Sequence, residues 1–102
     1  MSRREKLEQM LLTEPDDTFL NFGLAMELAK EGRVADAITR FDRVLTLDPS
    51  YTTAFLQKAT TLISSGRPDE AKRVLIDGMS SARFHGDTHA AEEMQSLLDR
   101  LA

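Results

Sequence analysis

The stretch LAKEGRVADAITRF, residues 28–41, predicts a helix, a tight turn and a second helix. A related stretch, LISSGRPDEAKRVL, follows at an offset of 34 residues and occupies residues 62–75. The pairs that coincide at this offset include Leu28 and Leu62, Gly32 and Gly66, Arg33 and Arg67, and Ala37 and Ala71. A fixed period means that the chain is built from repeated units, each of which needs its neighbours to bury an apolar face.

Apolar residues recur three and four positions apart along the whole chain, which is the period of an amphipathic helix and not that of a strand. The connections between these segments are short, so that successive helices must pack antiparallel. The sequence therefore predicts an all-α fold. The predicted helices cover residues 3–13, 17–31, 34–47, 52–65, 68–83 and 88–101.

Residues typical of helix ends stand at the predicted boundaries. Ser2 and Glu5 have the spacing of a capping box, in which each side chain accepts a hydrogen bond from the other residue's backbone amide. Gly32 and Gly66 lie where a helix ends in a left-handed turn, which glycine adopts at little steric cost. Pro68 then suits the first position of the following helix, where no amide hydrogen is needed.

Two further features of the helices are predicted from spacing. Asp36 with Arg40, and Asp69 with Arg73, stand four residues apart and are expected to pair on exposed helix faces. Gly78 lies inside the fifth helix, where glycine costs about 1 kcal/mol relative to alanine. Because it occupies a small-residue position of the repeat, we expect it to allow close helix packing.

Composition excludes several classes of protein. The chain has 102 residues, which is the size of a single domain, and it has no cysteine for a disulfide framework or a thiolate metal site. Its net charge of −4 is the wrong sign for a protein that binds nucleic acid. No apolar run is long enough to span a membrane, and the N-terminus lacks the features of a signal peptide. We therefore expect a cytoplasmic protein without a nucleic-acid or membrane partner.

The repeated positions resemble the tetratricopeptide repeat (TPR) family, whose pattern places large and small residues on a first helix and alanine, an aromatic residue and proline on a second. The matching residues are Leu24, Ala25, Leu28, Ala37, Phe41 and Pro49 in one copy, and Phe55, Ala59, Leu62, Ala71 and Leu75 in the next. The resemblance implies an α-solenoid of antiparallel helix-turn-helix repeats, with about six helices in a right-handed superhelix. The alanines mark places where helix backbones approach closely.

The resemblance also implies a division of the single domain 1–102. The parts are a half repeat at 1–16, a repeat at 17–50, a second repeat at 51–84 and a C-terminal capping helix at 87–102. The chain departs from the family pattern at Asn21, Lys58 and Arg83, where an aromatic residue, a leucine and a proline are expected. These departures affect the expected shape of the repeat array's concave surface at its two ends.

In TPR proteins the first helix of each repeat lines a concave surface that binds peptides. The residues expected there are Phe19, Phe22, Met26, Leu56, Thr60 and Ile63. Family members that clamp a C-terminal carboxylate use lysine and asparagine, but the matching positions hold Phe22, Met26 and Gln57. The resemblance therefore implies a non-enzymatic scaffold or adaptor without a cofactor, which binds a largely apolar peptide segment or helix of a protein partner.

Three alternatives remain open from the sequence. The terminal helices could fold over this apolar face and bury it. The partner could be a second copy, because an array entered half-way through a repeat has open ends that could pair in a homodimer. A small metal-binding protein or enzyme is the third alternative, motivated by the segment FHGDTHAAEE at residues 84–93, although Gly86 and Asp87 interrupt any helix between its two histidines.

Overall fold

A computed structural model describes all 102 residues, which form six α-helices and no strand. The helices are α1 (Arg3–Thr13), α2 (Thr18–Lys30), α3 (Val34–Leu47), α4 (Thr53–Ser64), α5 (Pro68–Phe84) and α6 (Thr88–Leu101). The predicted all-α repeat fold is thus confirmed, and each predicted helix boundary lies within one residue of the observed one. None of the six helices combines the length and the apolar character that crossing a membrane requires.

Three helix ends share one turn geometry. Gly32, Gly66 and Gly86 have φ of 75°, 77° and 76°. The residue after each glycine donates a backbone hydrogen bond to the carbonyl five residues earlier, as in the bond of 3.0 Å from Arg33 to Leu28. This Schellman arrangement satisfies carbonyls that the end of a helix leaves free. It confirms the left-handed turns predicted at the first two glycines.

Proline decides where α1 and α3 end. Pro15 and Pro49 disfavour helical backbone at the preceding residue, and Glu14 and Asp48 accordingly have φ of −133° and −145°. The equivalent position in α5 is Arg83, which imposes no such restriction. As a result α5 has 17 residues where α3 has 14, and it ends at a glycine turn instead of a proline turn.

The core consists of two apolar clusters. The first has ten buried residues from α1, α2, α3 and the start of α4, and the second has eight from α4, α5 and α6. Ala25, Ala37, Ala59 and Ala71 are completely buried, as the repeat pattern predicts for positions of close helix approach. Helix α4 contributes to both clusters and so joins the two halves of the molecule.

Gly78 lies at the tightest contact of the second cluster. A Cβ atom added there would lie 2.5 Å from Sδ of Met94 and 2.7 Å from Cβ of Phe55. Real Cβ atoms essentially never approach neighbours so closely. The predicted role of this glycine in close packing is therefore confirmed.

Asn21, which departs from the family pattern, is completely buried and fully hydrogen-bonded. Its amide nitrogen donates to the carbonyls of Pro15 at 3.1 Å and Asp17 at 2.8 Å, and its oxygen accepts from Arg40 at 2.7 Å. The side chain therefore fastens the α1–α2 connection to α3, in place of the apolar contact that an aromatic residue makes.

The two ion pairs predicted from spacing are wrong. Arg40 turns inward to Asn21, and Asp36 pairs with Arg33 at 2.8 Å. In the second repeat Arg67 makes a bidentate contact with Glu70, both bonds being 2.8 Å long. In both repeats the arginine that precedes the helix reaches a carboxylate three residues ahead, which the four-residue rule does not consider.

Candidate functional site

Three adjoining concavities lie along the first helices of the repeats. The α2 trough, of about 510 Å³, is lined by Arg3, Phe19, Phe22, Gly23, Met26, Glu27 and Lys30. The central concavity, of about 320 Å³, is lined by Met26, Ala29, Lys30, Gly32, Val34, Gln57, Thr60, Thr61, Ser64 and Ser65. The α6 concavity, of about 460 Å³, is lined by Leu56, Gln57, Thr60, Glu93, Ser96, Leu97 and Arg100.

Neighbouring concavities share residues, so they adjoin along one surface across α2, α4 and α6, called the groove below. Met26 and Lys30 line both the α2 trough and the central concavity. Gln57 and Thr60 line both the central and the α6 concavity. A bound chain could therefore contact all three concavities at once.

The structure brings five of the six candidate residues to this groove. Phe19, Phe22 and Met26 line the α2 trough, while Leu56 and Thr60 line the α6 concavity. The sixth candidate, Ile63, lines none of the three concavities. It is half-buried against the second core cluster.

The apolar side chains of the α2 trough differ in how firmly they are held. The side chain of Phe19 is 69% exposed. Phe22 is half-buried, and its ring centroid lies 6.0 Å from that of Phe41 and 5.1 Å from that of Tyr51. Phe22 therefore also packs at the edge of the first core cluster, whereas Phe19 presents its ring to solvent.

The central concavity is more polar than the sequence led us to expect. Thr60 and Thr61 donate their hydroxyl hydrogens to carbonyls of their own helix, at 2.9 and 2.8 Å. This bonding, common for threonine within helices, leaves their oxygens available as acceptors and their methyl groups available for contact. Gln57 adds an amide where the central and α6 concavities meet. The groove thus has large apolar side chains at α2, and in its middle hydroxyl and amide groups on a lining that is mostly apolar.

Ion pairs attach α1 to α2 beside the trough. Arg3 contacts Glu27 at 2.9 Å, and Lys30 contacts the same carboxylate at 3.6 Å. On α1, Arg4 bonds to Glu31 at 2.9 Å. That contact raises the pKa of the Arg4 guanidinium above its ordinary value, since the charged form is stabilised by the hydrogen bond and by the opposite charge.

The polar side chains of the segment that motivated a metal site cap a helix or form an ion pair. Asp87 caps α6 by accepting from the amide of Ala90 at 3.1 Å, and it accepts a second bond from the hydroxyl of Thr52 at 2.7 Å. These two bonds lower the pKa of Asp87, the Thr52 bond most strongly. His89 pairs with Glu93 at 2.7 Å. No three histidine or carboxylate groups converge as metal ligands do.

Antiparallel helix pairs that stack in register and present a shared concave surface define a helical-repeat protein of the α-solenoid class. The model of a family described as tetratricopeptide repeat matches residues 28–100, which is well over half of the chain. The chain therefore belongs to the TPR family. Proteins of this family are in general interaction scaffolds and not enzymes, and they bind protein or peptide partners.

Known proteins that are similar to this chain support the assignment. The TPR repeat-containing protein PA0015 of Pseudomonas aeruginosa is 29% identical over 97 residues, which cover 95% of this chain and 92% of that protein. The solution structure of BPP2914 from Bordetella parapertussis is 29% identical, with a TM-score of 0.85 and coverage of 99% and 88%. Both are bacterial proteins of similar length.

A third similar structure shows the fold alone. The TPR2B domain of yeast Sti1, solved as a complex with pHsp70, has a TM-score of 0.85 and covers 96% of this chain and 78% of that one. Its sequence identity is only 21%. The likeness therefore supports the helical architecture and says nothing about which residues of this chain contact a partner.

Proposed function

We propose that the groove binds a short, largely apolar segment of another protein, and that the chain acts as an adaptor or scaffold. The observation that carries the proposal is the exposed ring of Phe19, which together with Met26 lines a trough of about 510 Å³. Exposed apolar surface within a concavity is typical of sites that bind a partner. A cytoplasmic location, which the sequence led us to expect, is part of the same proposal.

The α2 trough and the central concavity would make different contacts with the bound segment. In the α2 trough, apolar side chains of the partner would displace water from Phe19 and Met26, which is the main source of affinity. In the central concavity, the hydroxyl oxygens and Gln57 would accept or donate hydrogen bonds. The Sti1 domain was solved with a pHsp70 partner. Here the positions of the family's carboxylate clamp hold Phe22, Met26 and Gln57, so a terminal carboxylate is not the proposed anchor.

The test is a selection of short peptides from a displayed random library on the purified protein. The affinities of the selected peptides are then measured by fluorescence anisotropy with Phe19→Ala and with Phe84→Ala. Truncating an aromatic anchor costs more than about 1.4 kcal/mol, so Phe19→Ala should weaken binding by at least about tenfold. Phe84 is 86% exposed at the end of α5, outside the groove, and serves as the matched control.

The two variants can be compared directly, and their affinities decide whether the trough binds the peptide. Both substitutions remove an exposed phenylalanine, and each should change the free energy of unfolding by less than about 0.5 kcal/mol. Equal affinity of the wild type and Phe19→Ala, or a loss in Phe84→Ala alone, contradicts binding in the α2 trough. Phe22→Asp is a poorer probe because Phe22 contacts the first core cluster.

A second candidate function is self-association into a homodimer. The observation that favours it is the exposure of Leu12 on α1, at 82%. Pairing of two copies along α1 would cover Leu12, whereas Met10, two residues earlier, faces another side of the helix. Sedimentation equilibrium of the wild type and of Leu12→Glu tests the idea, and a wild type that stays monomeric at high micromolar concentration contradicts it.

The division into repeats forms part of the proposal. We infer a half repeat at 1–16, repeats at 17–50 and 51–84, and a capping helix at 87–102. The proline-ended helices α1 and α3 and the glycine turns that open α3 and α5 support this division. The turn between α5 and α6, at Gly86, has the same geometry as the turns within the two repeats.

A further inference from the structure

The charges that line the α2 trough do not balance. Arg3 and Lys30 both pair with the single carboxylate of Glu27. The side chain of Glu27 is only 15% exposed, whereas those of Arg3 and Lys30 are 66% and 71% exposed. These three are the only charged residues of the trough, so its solvent-facing rim carries one uncompensated positive charge.

The opposite imbalance lies elsewhere on the same two helices. Arg4 is shared between Glu8 at 2.7 Å and Glu31 at 2.9 Å, which leaves one uncompensated negative charge. None of these three residues lines the groove, and Glu8 lines a separate depression against α3. The α1–α2 pair is therefore polarised, and its positive surplus faces the groove of a protein whose net charge is −4.

Lys30 places part of the trough's positive surplus close to its apolar side chains. Lys30 follows Met26 by four residues on α2, which places it one helical turn or about 6 Å further along the groove. It lines both the α2 trough and the central concavity, and it is the only charged side chain of the latter. A partner that fills the trough therefore passes Lys30 as it leaves the apolar surface.

We propose that the bound segment carries an acidic side chain within about one helical turn of its apolar ones, and that this carboxylate lies beside Arg3 and Lys30. The inference rests on the proposed function, because it concerns the same groove. The carboxylate would neutralise the positive charge of Arg3 and Lys30 that Glu27 leaves uncompensated. The partner is thus an apolar and acidic protein segment.

The peptide selection described above tests this inference when it is repeated on Lys30→Glu and Lys72→Glu. Lys72 lies on α5 outside all three concavities, so its substitution makes the same change in net charge away from the groove. Peptides selected on the wild type and on Lys72→Glu should carry Asp or Glu next to the apolar residues. Those selected on Lys30→Glu should lose this preference.

Affinity measurements show how much the acidic residue of the peptide contributes to binding. Replacing the acidic residue of a selected peptide with lysine should weaken binding to the wild type by about two- to fivefold at low salt, as expected for an exposed charge pair, and by less at high salt. The same replacement should not weaken binding to Lys30→Glu. Lys30→Gln, which removes the charge without reversing it, should lie between the two, and circular dichroism shows whether each variant is folded.

The outcomes separate the two proposals. Selected peptides that share apolar residues but no acidic residue overturn the charge inference and leave the proposed function standing. Enrichment of acidic residues that persists in Lys30→Glu also overturns it. A selection that yields no apolar motif on the wild type contradicts the proposed function, and the charge inference fails with it.

Discussion

At the scale of single residues, Gly78 shows how one missing side chain sets the distance between helices. The close approach of Phe55 and Met94 to its backbone leaves no room for a methyl group. Gly23, in the middle of α2, is the contrasting case, since a Cβ atom there would lie 3.4 Å from the side chain of Leu7, an ordinary contact. The same residue type thus has a packing role in α5 and none in α2.

We predict opposite effects of alanine at these two glycines. Gly78→Ala should lower the free energy of unfolding by about 1–3 kcal/mol, because overpacking outweighs the gain in helix propensity. Gly23→Ala should raise it by up to about 1 kcal/mol through propensity alone. Urea unfolding measures both. Equal stabilisation by the two substitutions would show that the contact at Gly78 is loose.

Also at this scale, Asn21 and Arg40 mark a limit of the sequence-based predictions. The four-residue rule pairs Arg40 with Asp36, but it treats a helix face as isolated. In the folded chain a buried carboxamide 19 residues away competes for the guanidinium, and a buried amide without a partner costs more than an exposed ion pair gains. Such a contact depends on tertiary packing, which no local spacing reveals.

At the scale of elements, α1 is held to α2 mainly by apolar contact. Leu7 and Leu11 are buried in the first cluster, and removing a buried leucine side chain costs about 2–5 kcal/mol. The pairs made by Arg3 and Arg4 lie at the surface and are partly exposed, and surface pairs contribute about 0–1 kcal/mol each. The ion pairs therefore set the charge of the groove rim more than they hold the helix.

Helix α6 is fastened through Asp87, and this contact should make stability depend on pH. The bonds from Thr52 and Ala90 lower the pKa of Asp87 below its ordinary value of 3.8. A lowered folded-state pKa stabilises the fold above the unfolded-state value, and the contribution is lost as pH falls through the folded-state value. The carboxylate should thus stabilise the fold at neutral pH and cease to do so in acid.

The measurement compares wild type with Asp87→Asn by urea unfolding across the acidic range. Asparagine keeps one acceptor oxygen but no charge. The difference in free energy of unfolding should be largest well above pH 3.8 and should shrink below it. Glu5, Asp48 and Glu70 also have lowered pKa values, so only the difference between the two proteins isolates Asp87. A difference that does not vary with pH contradicts the assigned role.

At the scale of the whole molecule, the period of 34 residues was sufficient to predict the fold. The glycine turns, the proline stops and the apolar spacing all repeat with it, so the helices could be placed without tertiary information. The exception is the end of α5, where the period breaks and Gly86 introduces a turn out of phase with the repeat. The helix ends there for a local reason that the glycine itself indicates.

The groove was less predictable than the fold. Phe19, Phe22 and Met26 share one face of α2, and the repeat pattern identified that face. On α4 the pattern did not distinguish Thr60, which lines the groove, from Ile63, which packs on the second cluster. The rotation of α4 is fixed by its contacts with both clusters, and these are visible only in three dimensions. For the same reason Thr61, Ser64 and Ser65 were not predicted to line the groove.

The most direct test of groove binding is amide chemical-shift mapping by nuclear magnetic resonance, with a peptide selected on the wild type. We predict that the largest shifts on titration fall on α2 and α4, at residues around Phe19, Met26 and Thr60, and that those near Ile76 and Phe84 on α5 stay small. Shifts concentrated on α5, or a peptide that binds without perturbing α2, would contradict binding in the groove.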